Sequence, residues 1–402
     1  MYGNIRIHMN PKIFAQPNEE FRKLPTCFFN EKQDSSHLSV DKNQNLLSKS
    51  MSERYEMEKL PSISSRTSRE SVNKSNTDLN LLFSHIKRAR KREITKISTS
   101  YGARIIKAYA ASTNSGLVKN CNEDKVTIVR NIVKPNSRAL ENWPQSAFFG
   151  IYDGHGGSLC AEFLRDNLHK FVINNPHFPS NPEEALKSGF LEAEQKFQCF
   201  AKMRENDKSG SCAIVVLIVG HTCYIANLGD SRALLSINHG ERVEQLSKDH
   251  KPTDTIERSR ILRAGGNLYN SLKQRNGTSK SGGVVRVIPG RLAVSRSFGD
   301  IHAKLPEFGG IPNVLISVPE ITKFNISASS DFLILGSDGL FDKLNNREIV
   351  ESICQSTRRL ETHDLHSACG IAIEEVIKAA MDKNSLDNIT GVIIAFGGLE
   401  SI

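Results

Sequence analysis

Apolar positions along this chain follow two regimes that meet near residue 100. From Met1 to about Ser100 they show no sustained period among Ser, Asn, Lys and Glu, which predicts a mostly disordered extension over residues 1–100. Within it, Leu82, Ile86 and Ala89 recur at helical spacing, so Leu79 to Thr95 is expected to form at most a short, frayed basic helix. Beyond Tyr101, short β-branched and aromatic runs alternate with turn clusters. Ala147–Tyr152, Cys212–Gly220, Thr222–Leu228, Arg232–Leu235, Phe332–Gly336 and Gly391–Phe396 read as strands. Several are apolar on both faces, which predicts sheets covered on both sides, sandwiched between layers.

Two helical stretches interrupt this texture. After Gly157, Cys160, Phe163, Leu164, Leu168, Phe171 and Val172 form the apolar stripe of a helix lying on a sheet. A second helix has a start signal: Asn181 as N-cap, Pro182 in the first turn, and Glu183 and Glu184 at the positive end of the dipole. Leu186, Phe190, Ala193, Phe197 and Phe200 supply its buried face. Residues 101–400 are therefore expected to form one large domain, and no internal repeat is visible. Between Gly266 and Gly283 the polar segment NLYNSLKQRNGTSKSG reads as a long loop, expected to be mobile first and specificity-bearing second.

Composition refines this picture in three places. Of 402 residues, 38% are apolar and 24% charged, enough for a real core once a polar segment is averaged in. Much of the net charge of +9 lies in the first hundred residues, around Lys87, Arg88, Arg90, Lys91 and Arg92, so the run 87–92 is a candidate nuclear-import signal. Eight cysteines are scattered without a CxxC pair, and they read as reduced core residues of an intracellular protein, cytoplasmic or nuclear. The opening MYGNIRIHMNPK has no apolar signal stretch, Tyr2 stands where myristoylation needs glycine, and no membrane span is expected.

The informative residues are acids at the ends of apolar strands. Asp153 follows FFGIY and precedes Gly154, His155, Gly156 and Gly157; Asp338 follows FLILGS and precedes Gly339. Asp230 follows YIANLG, Asp387 and Asn388 precede ITGVIIAF, and Glu123 and Asp124 precede Val126–Val129. Any one of these Asp-Gly steps reads first as a turn. Their joint, ordered occurrence does not, because carboxylates gathered at one edge repel one another and need positive compensation. An oxygen-only donor set without His or Cys selects hard cations, magnesium or manganese.

In their order NED, YDGHGG, LGDSR, GSDGLFD and LDNIT, these segments resemble the metal-dependent serine/threonine protein phosphatases of type 2C. SGSCAIV, LSKDHKP, RLAVSRSFGD and VPEI are further family-like stretches, and the likeness runs from about Tyr101 to Gly397. The resemblance implies an α+β fold of two packed antiparallel sheets flanked by helices on both sides, a four-layer α/β/β/α sandwich with the metals in a cleft at one end. It implies two cations, Mn2+ or Mg2+, with Asp153 bridging them, the carbonyl of Gly154 on one, and Asp338 and Asp387 on the other with Glu123 nearby. Asp124 would position this shell with Asn388 beside it, and Asp230 and Asp342 would join Asp338 around a third, weaker cation. A water shared by two cations would attack phosphorus in line without a phosphoenzyme, and His155 would protonate the departing seryl or threonyl oxygen. Where the family has an arginine that grips phosphate, this chain has Lys119, a point charge without the planar fork and, read alone, an ordinary solvated lysine.

Phosphorylated proteins are the expected partners, with nucleic acid not among them and a monomer expected. Three rival readings stay open on sequence alone: a catalytically dead phosphoprotein-binding relative, a tail that contacts nucleic acid, and another two-metal hydrolase acting on nucleic acid or small phosphomonoesters.

Overall fold

The structure, a computed structural model, describes residues 105–401 apart from 139–140, 276–277 and 360–363. The extension expected over 1–100, its candidate helix at 79–95 and its basic run at 87–92 lie outside the described residues. One sheet has the order β1 (Ala108–Asn114), β13 (Ile389–Ala395), β12 (Ser330–Gly336), β6 (Arg232–Ile237), β7 (Arg242–Gln245). The other runs β11 (Glu320–Asn325), β5 (Thr222–Leu228), β4 (Gly210–Val219), β3 (Ser146–His155), β2 (Lys125–Val129), with the short β10 (Phe298–Gly299) beside β4. The pairs within both sheets are antiparallel.

Alternation along the strands explains why these segments are apolar at nearly every position. Successive side chains of a strand point to opposite faces, so a sheet covered on both sides needs apolar residues at both parities. Phe148, Tyr152, Val215 and Leu217 form a core with Phe163 and Leu164 of α1 (Leu159–Asn174) and Phe190 and Phe197 of α2 (Pro182–Met203). Their neighbours Phe149, Ile151, Ile214 and Val216 fill the space between the sheets with Leu333, Leu335, Val392 and Ile394. On the far side, Leu234, Ile334 and Ile393 pack with two further helices. The result is an α+β sandwich of two antiparallel sheets with helices on both sides.

Both helices read from periodicity are present. Asn181 caps α2 by accepting a hydrogen bond from the Glu184 amide, with Pro182 in the first turn. Along the chain α3 (Thr255–Arg263) follows β7 and α4 (Ile301–Lys304) follows β10, and α5 (Asp338–Phe341) comes one residue after β12. The helices of the far layer are α6 (Asn346–Arg359) and α7 (Leu365–Asp382), with buried stripes such as Ile349, Ile353 and Val376. Periodicity had not singled these out. In α7 alanines carry much of the stripe, whereas α6 has a regular one in Ile349, Val350, Ile353 and Cys354 that the reading of periodicity missed.

The long polar segment after Gly266 is not a plain loop. It pairs as the hairpin β8 (Asn267–Arg275) and β9 (Thr278–Ile288), with Asn267 opposite Ile288 and Arg275 opposite Thr278. A polar strand lacks the apolar alternation that would announce it, so only the partner strand reveals the pairing. Of the described cysteines, Cys160, Cys212, Cys223, Cys354 and Cys369 are buried thiols, as core residues would be, whereas Cys121 is exposed. No described helix is long and apolar enough to cross a membrane.

Phe149 is fully buried between the two sheets, where a cavity cannot collapse without moving both. Phe149→Ala is expected to lower the unfolding free energy by about 3–5 kcal/mol in urea melts, and a loss well below that range would mean that the inter-sheet layer is loosely filled.

Candidate metal centre

The acids gather because both sheets end at the same place. Asp230 follows β5 and Asp153 lies in β3, strands of one sheet; Asp338 follows β12 and Asp387 precedes β13, adjacent strands of the other. The strand expected to end at Tyr152 runs further: β3 continues through His155, with Asp153 opposite Cys212, Gly154 opposite Ser211 and His155 opposite Gly210. Asp338 opens α5 and donates its amide toward Asp153 Oδ2 at 3.4 Å. Asp342 is the C-cap of that single turn, its amide donating to the Asp338 carbonyl.

Asp153, Asp230 and Asp338 each bring one carboxylate oxygen into a group whose members all lie within 4.8 Å of one another. Burial pushes the Asp153 carboxyl well up, and Asp338, Asp124, Asp230 and Asp387 push it further. Burial does the same for Asp338, followed by Asp230, Asp387 and Asp342. Asp387, Asp124 and Asp342 are thus close enough to act on the trio electrostatically. This oxygen-only donor set, half-buried and mutually repelling, fits a hard divalent cation.

The surrounding residues fix the acids in place. Glu123 turns its Oε1 to the Gly157 amide at 2.7 Å, while its own amide donates to Asn388 Oδ1. The amide of the Asn388 side chain donates to the carbonyls of Ser115 and Cys121, so this buried residue clamps the Glu123 loop to the turn that carries Asp387. Two glycines allow these segments to touch: a Cβ on Gly154 would sit 2.5 Å from the Glu123 carbonyl oxygen, and one on Gly116 (φ 74°) 2.1 Å from that of Asp387. Buried Asp124 accepts from the Thr390 hydroxyl at 2.7 Å, and burial lifts its carboxyl to about 6.

Positive charge enters from two lysines. Lys119 is not freely solvated: its Nζ lies 2.9 Å from Asp387 Oδ1. Burial opposes its charge, yet the Asp387 hydrogen bond and the charges of Asp387, Glu123 and Asp153 hold its pKa above the ordinary value. Lys251 is in direct contact with Asp230 Oδ2. Burial opposes that charge too, but Asp230, with Asp338 and Asp342 behind it, raises the pKa. His155 Nε2 lies 3.0 Å from Asp300 Oδ2; burial disfavours the imidazolium, and Asp300 outweighs it, so the pKa is raised.

Sequence reasoning had singled out neither Lys251 nor Asp300. Both lie in stretches already noted as family-like, LSKDHKP and RLAVSRSFGD, but nothing in the spacing says which of their charged residues turns inward. The Arg232 guanidinium was likewise passed over; it grips Asp249 at 2.7 and 2.8 Å and lies over the Phe341 ring, bracing α5 against β6.

Comparison with known proteins follows the same residues. A sequence model of the family "Protein phosphatase 2C" matches residues 110–389. The chain is 32% identical over 274 residues to "Probable protein phosphatase 2C 27" of Arabidopsis thaliana, covering 68% of this chain and 65% of the relative. It is 34% identical over 269 residues to "Protein phosphatase 1A" of Homo sapiens, covering 64% and 63%. It thus spans slightly less than two thirds of these relatives' own length. Among solved structures, the serine-threonine phosphatase 2C from Toxoplasma gondii shares the fold, with a TM-score of 0.57 and 21% identity over 72% of this chain and 94% of that one. A C. elegans sex determining protein does so with a TM-score of 0.57 and 22% identity over 81% and 74%. With the ordered acidic segments, the two-sheet sandwich and a family match over residues 110–389, the chain belongs to the protein phosphatase 2C family.

Proposed function

We propose that this protein hydrolyses phosphoserine and phosphothreonine in other proteins, holding two divalent cations, Mn2+ or Mg2+, between Asp153, the carbonyl of Gly154, Asp338, Asp387 and Glu123. The observation that carries the reading is the convergence of Asp153, Asp230 and Asp338 within 4.8 Å in a chain of this family. The names of the relatives, protein phosphatases, support phosphoprotein substrates. What divalent cations supply in such a cage is Lewis-acid activation of water at neutral pH, for in-line attack on phosphorus with no phosphoenzyme.

The chain's own groups do the rest. Lys119, beside Asp387 and about one-third exposed, is placed to attract the phosphate dianion as a point charge. His155 holds the proton that the departing alkoxide needs. Asp124 and Asn388 keep the loop of Glu123 and the turn of Asp387 in register. Lys251, on Asp230, stands where a third cation bound by Asp230, Asp338 and Asp342 would compete for the same carboxylate. The buried thiols suit a reducing, intracellular setting.

Turnover of a phosphothreonine peptide is expected with Mn2+ and not with EDTA, and Asp338→Asn is expected to lower kcat by roughly 100-fold or more, at least the effect of losing an outer-shell partner. Faster hydrolysis of nucleic acid or of a small phosphomonoester than of the peptide would overturn the substrate class. Lys119→Arg, which restores a planar fork, should lower the peptide KM by about 5–10-fold, or about 1–1.4 kcal/mol; an unchanged KM would place Lys119 outside the phosphate subsite.

The metal-free protein should also reveal the crowded acids. Asp124 titrates at about 6 in the fold, and Asp153 and Asp338 are raised well above the ordinary carboxylate range, burial being the first cause in each. An acid raised on folding keeps protons that the unfolded chain releases, so its folded state loses stability as pH rises from the unfolded pKa through the folded one. In EDTA the melting temperature is therefore expected to be lower at about pH 7.5 than at about pH 5.5, with Mn2+ reversing the loss at the higher pH. His169 and His250, each lowered to about 4 chiefly by burial, add stability as pH rises through the lower half of this window, so the outcome that contradicts the crowding is a melting temperature that Mn2+ leaves unchanged at the higher pH.

A further inference from the structure

We propose that Asp300 is the positioning residue for His155: it occupies Nε2 of the imidazole and so assigns proton delivery to Nδ1. The assignment rests on the phosphatase reading above and deepens it. His155 Nε2 lies 3.1 and 3.0 Å from Asp300 Oδ1 and Oδ2. A carboxylate only accepts, so Nε2 carries a hydrogen and Nδ1 is the ring nitrogen left for other work.

Three features show that this contact is built rather than incidental. Asp300 is buried, and the Ser297 hydroxyl donates to its Oδ2 at 2.6 Å while its amide donates to the Ser209 carbonyl. It stands at the N-cap position of α4 with φ 52°, a left-handed conformation, and its side chain makes no capping bond there. The carboxylate is turned to the imidazole instead. Opposite His155 in the β3–β4 ladder is Gly210, where a Cβ would sit 2.2 Å from Asp300 Oδ2 and 2.4 Å from His155 Nε2. Only glycine leaves room for the pair to meet.

In the reaction, the Nδ1–H bond of the imidazolium breaks as the bond from phosphorus to the seryl or threonyl oxygen breaks, and the proton passes to that oxygen. The imidazole is left neutral with Nε2–H still on Asp300, which stays ionised throughout. The attacking water's proton leaves to solvent, and solvent restores the imidazolium. No other co-reactant is needed.

The test pairs a substrate that needs a proton on its leaving group with one that does not. Asp300→Asn is the variant of choice, because asparagine accepts the left-handed backbone as readily as aspartate. With Mn2+ it is expected to lower kcat on a phosphothreonine peptide by about 100-fold, the low end of general-acid effects, and on p-nitrophenyl phosphate by no more than about threefold, at unchanged KM. Should that variant fold poorly by thermal melting, Ser297→Ala, which removes the hydroxyl that steadies Asp300 Oδ2, is expected to show the same selectivity with a loss of about 3–10-fold on the peptide, below the full general-acid effect. Equal losses on both substrates would make Asp300 a structural brace and overturn the assignment. Independently of turnover, 15N-edited NMR of the metal-free wild type should show neutral His155 as the Nε2–H tautomer; an Nδ1–H tautomer would also overturn it. A wild type inactive on both substrates would remove the phosphatase reading itself, whereas an active wild type with equal losses would remove only the role of Asp300.

Discussion

Mutual repulsion among carboxylates is the constraint around which this molecule is arranged. With oxygens of Asp153, Asp230 and Asp338 within 4.8 Å, each ionised pair opposes the fold by about 3.5 kcal/mol or more at an effective dielectric near 20. Nothing local rewards such crowding. It persists because each acid is fixed to a strand or to the turn next to one, and those strands are locked by cores on both faces. To separate the acids, the sheets would have to slip.

Compensation is graded by position. Lys251 meets buried Asp230 directly, Lys119 meets Asp387 at the more exposed rim, and Asp153 and Asp338, which lie between them, have no lysine ion pair of their own among the described residues. That gradient leaves the strongest uncompensated negative charge at the meeting point of the two sheets, where a small cation gains most. On the proposed reading, a rim lysine would then serve an arriving phosphate, and one arrangement of charge would support both metal binding and substrate attraction.

The precision of the centre comes from neutral parts. Asn388 ties two loops that approach from different sheets, and Gly154 and Gly116 let backbone meet backbone where a single methyl group would block it. Gly210 does the same for the pair of His155 and Asp300. These glycines resemble ordinary turn residues in a sequence. Their necessity lies in what stands opposite them.

Local pattern determined a definite part of this protein. Apolar runs at both parities announced the central strands and their covered faces, and Asn181-Pro182 marked the start of α2, because these signals depend only on neighbours along the chain. The acids at strand ends were equally legible, since a carboxylate directly beside an apolar run is conspicuous wherever it ends up. Tertiary structure alone decided the continuation of β3 through His155, the pairing of the polar hairpin β8–β9, and the partners of Lys251 and Asp300. Each depends on a second segment, up to 145 residues away for the pair of His155 and Asp300, and a charge does not reveal its partner until the chain between them has folded.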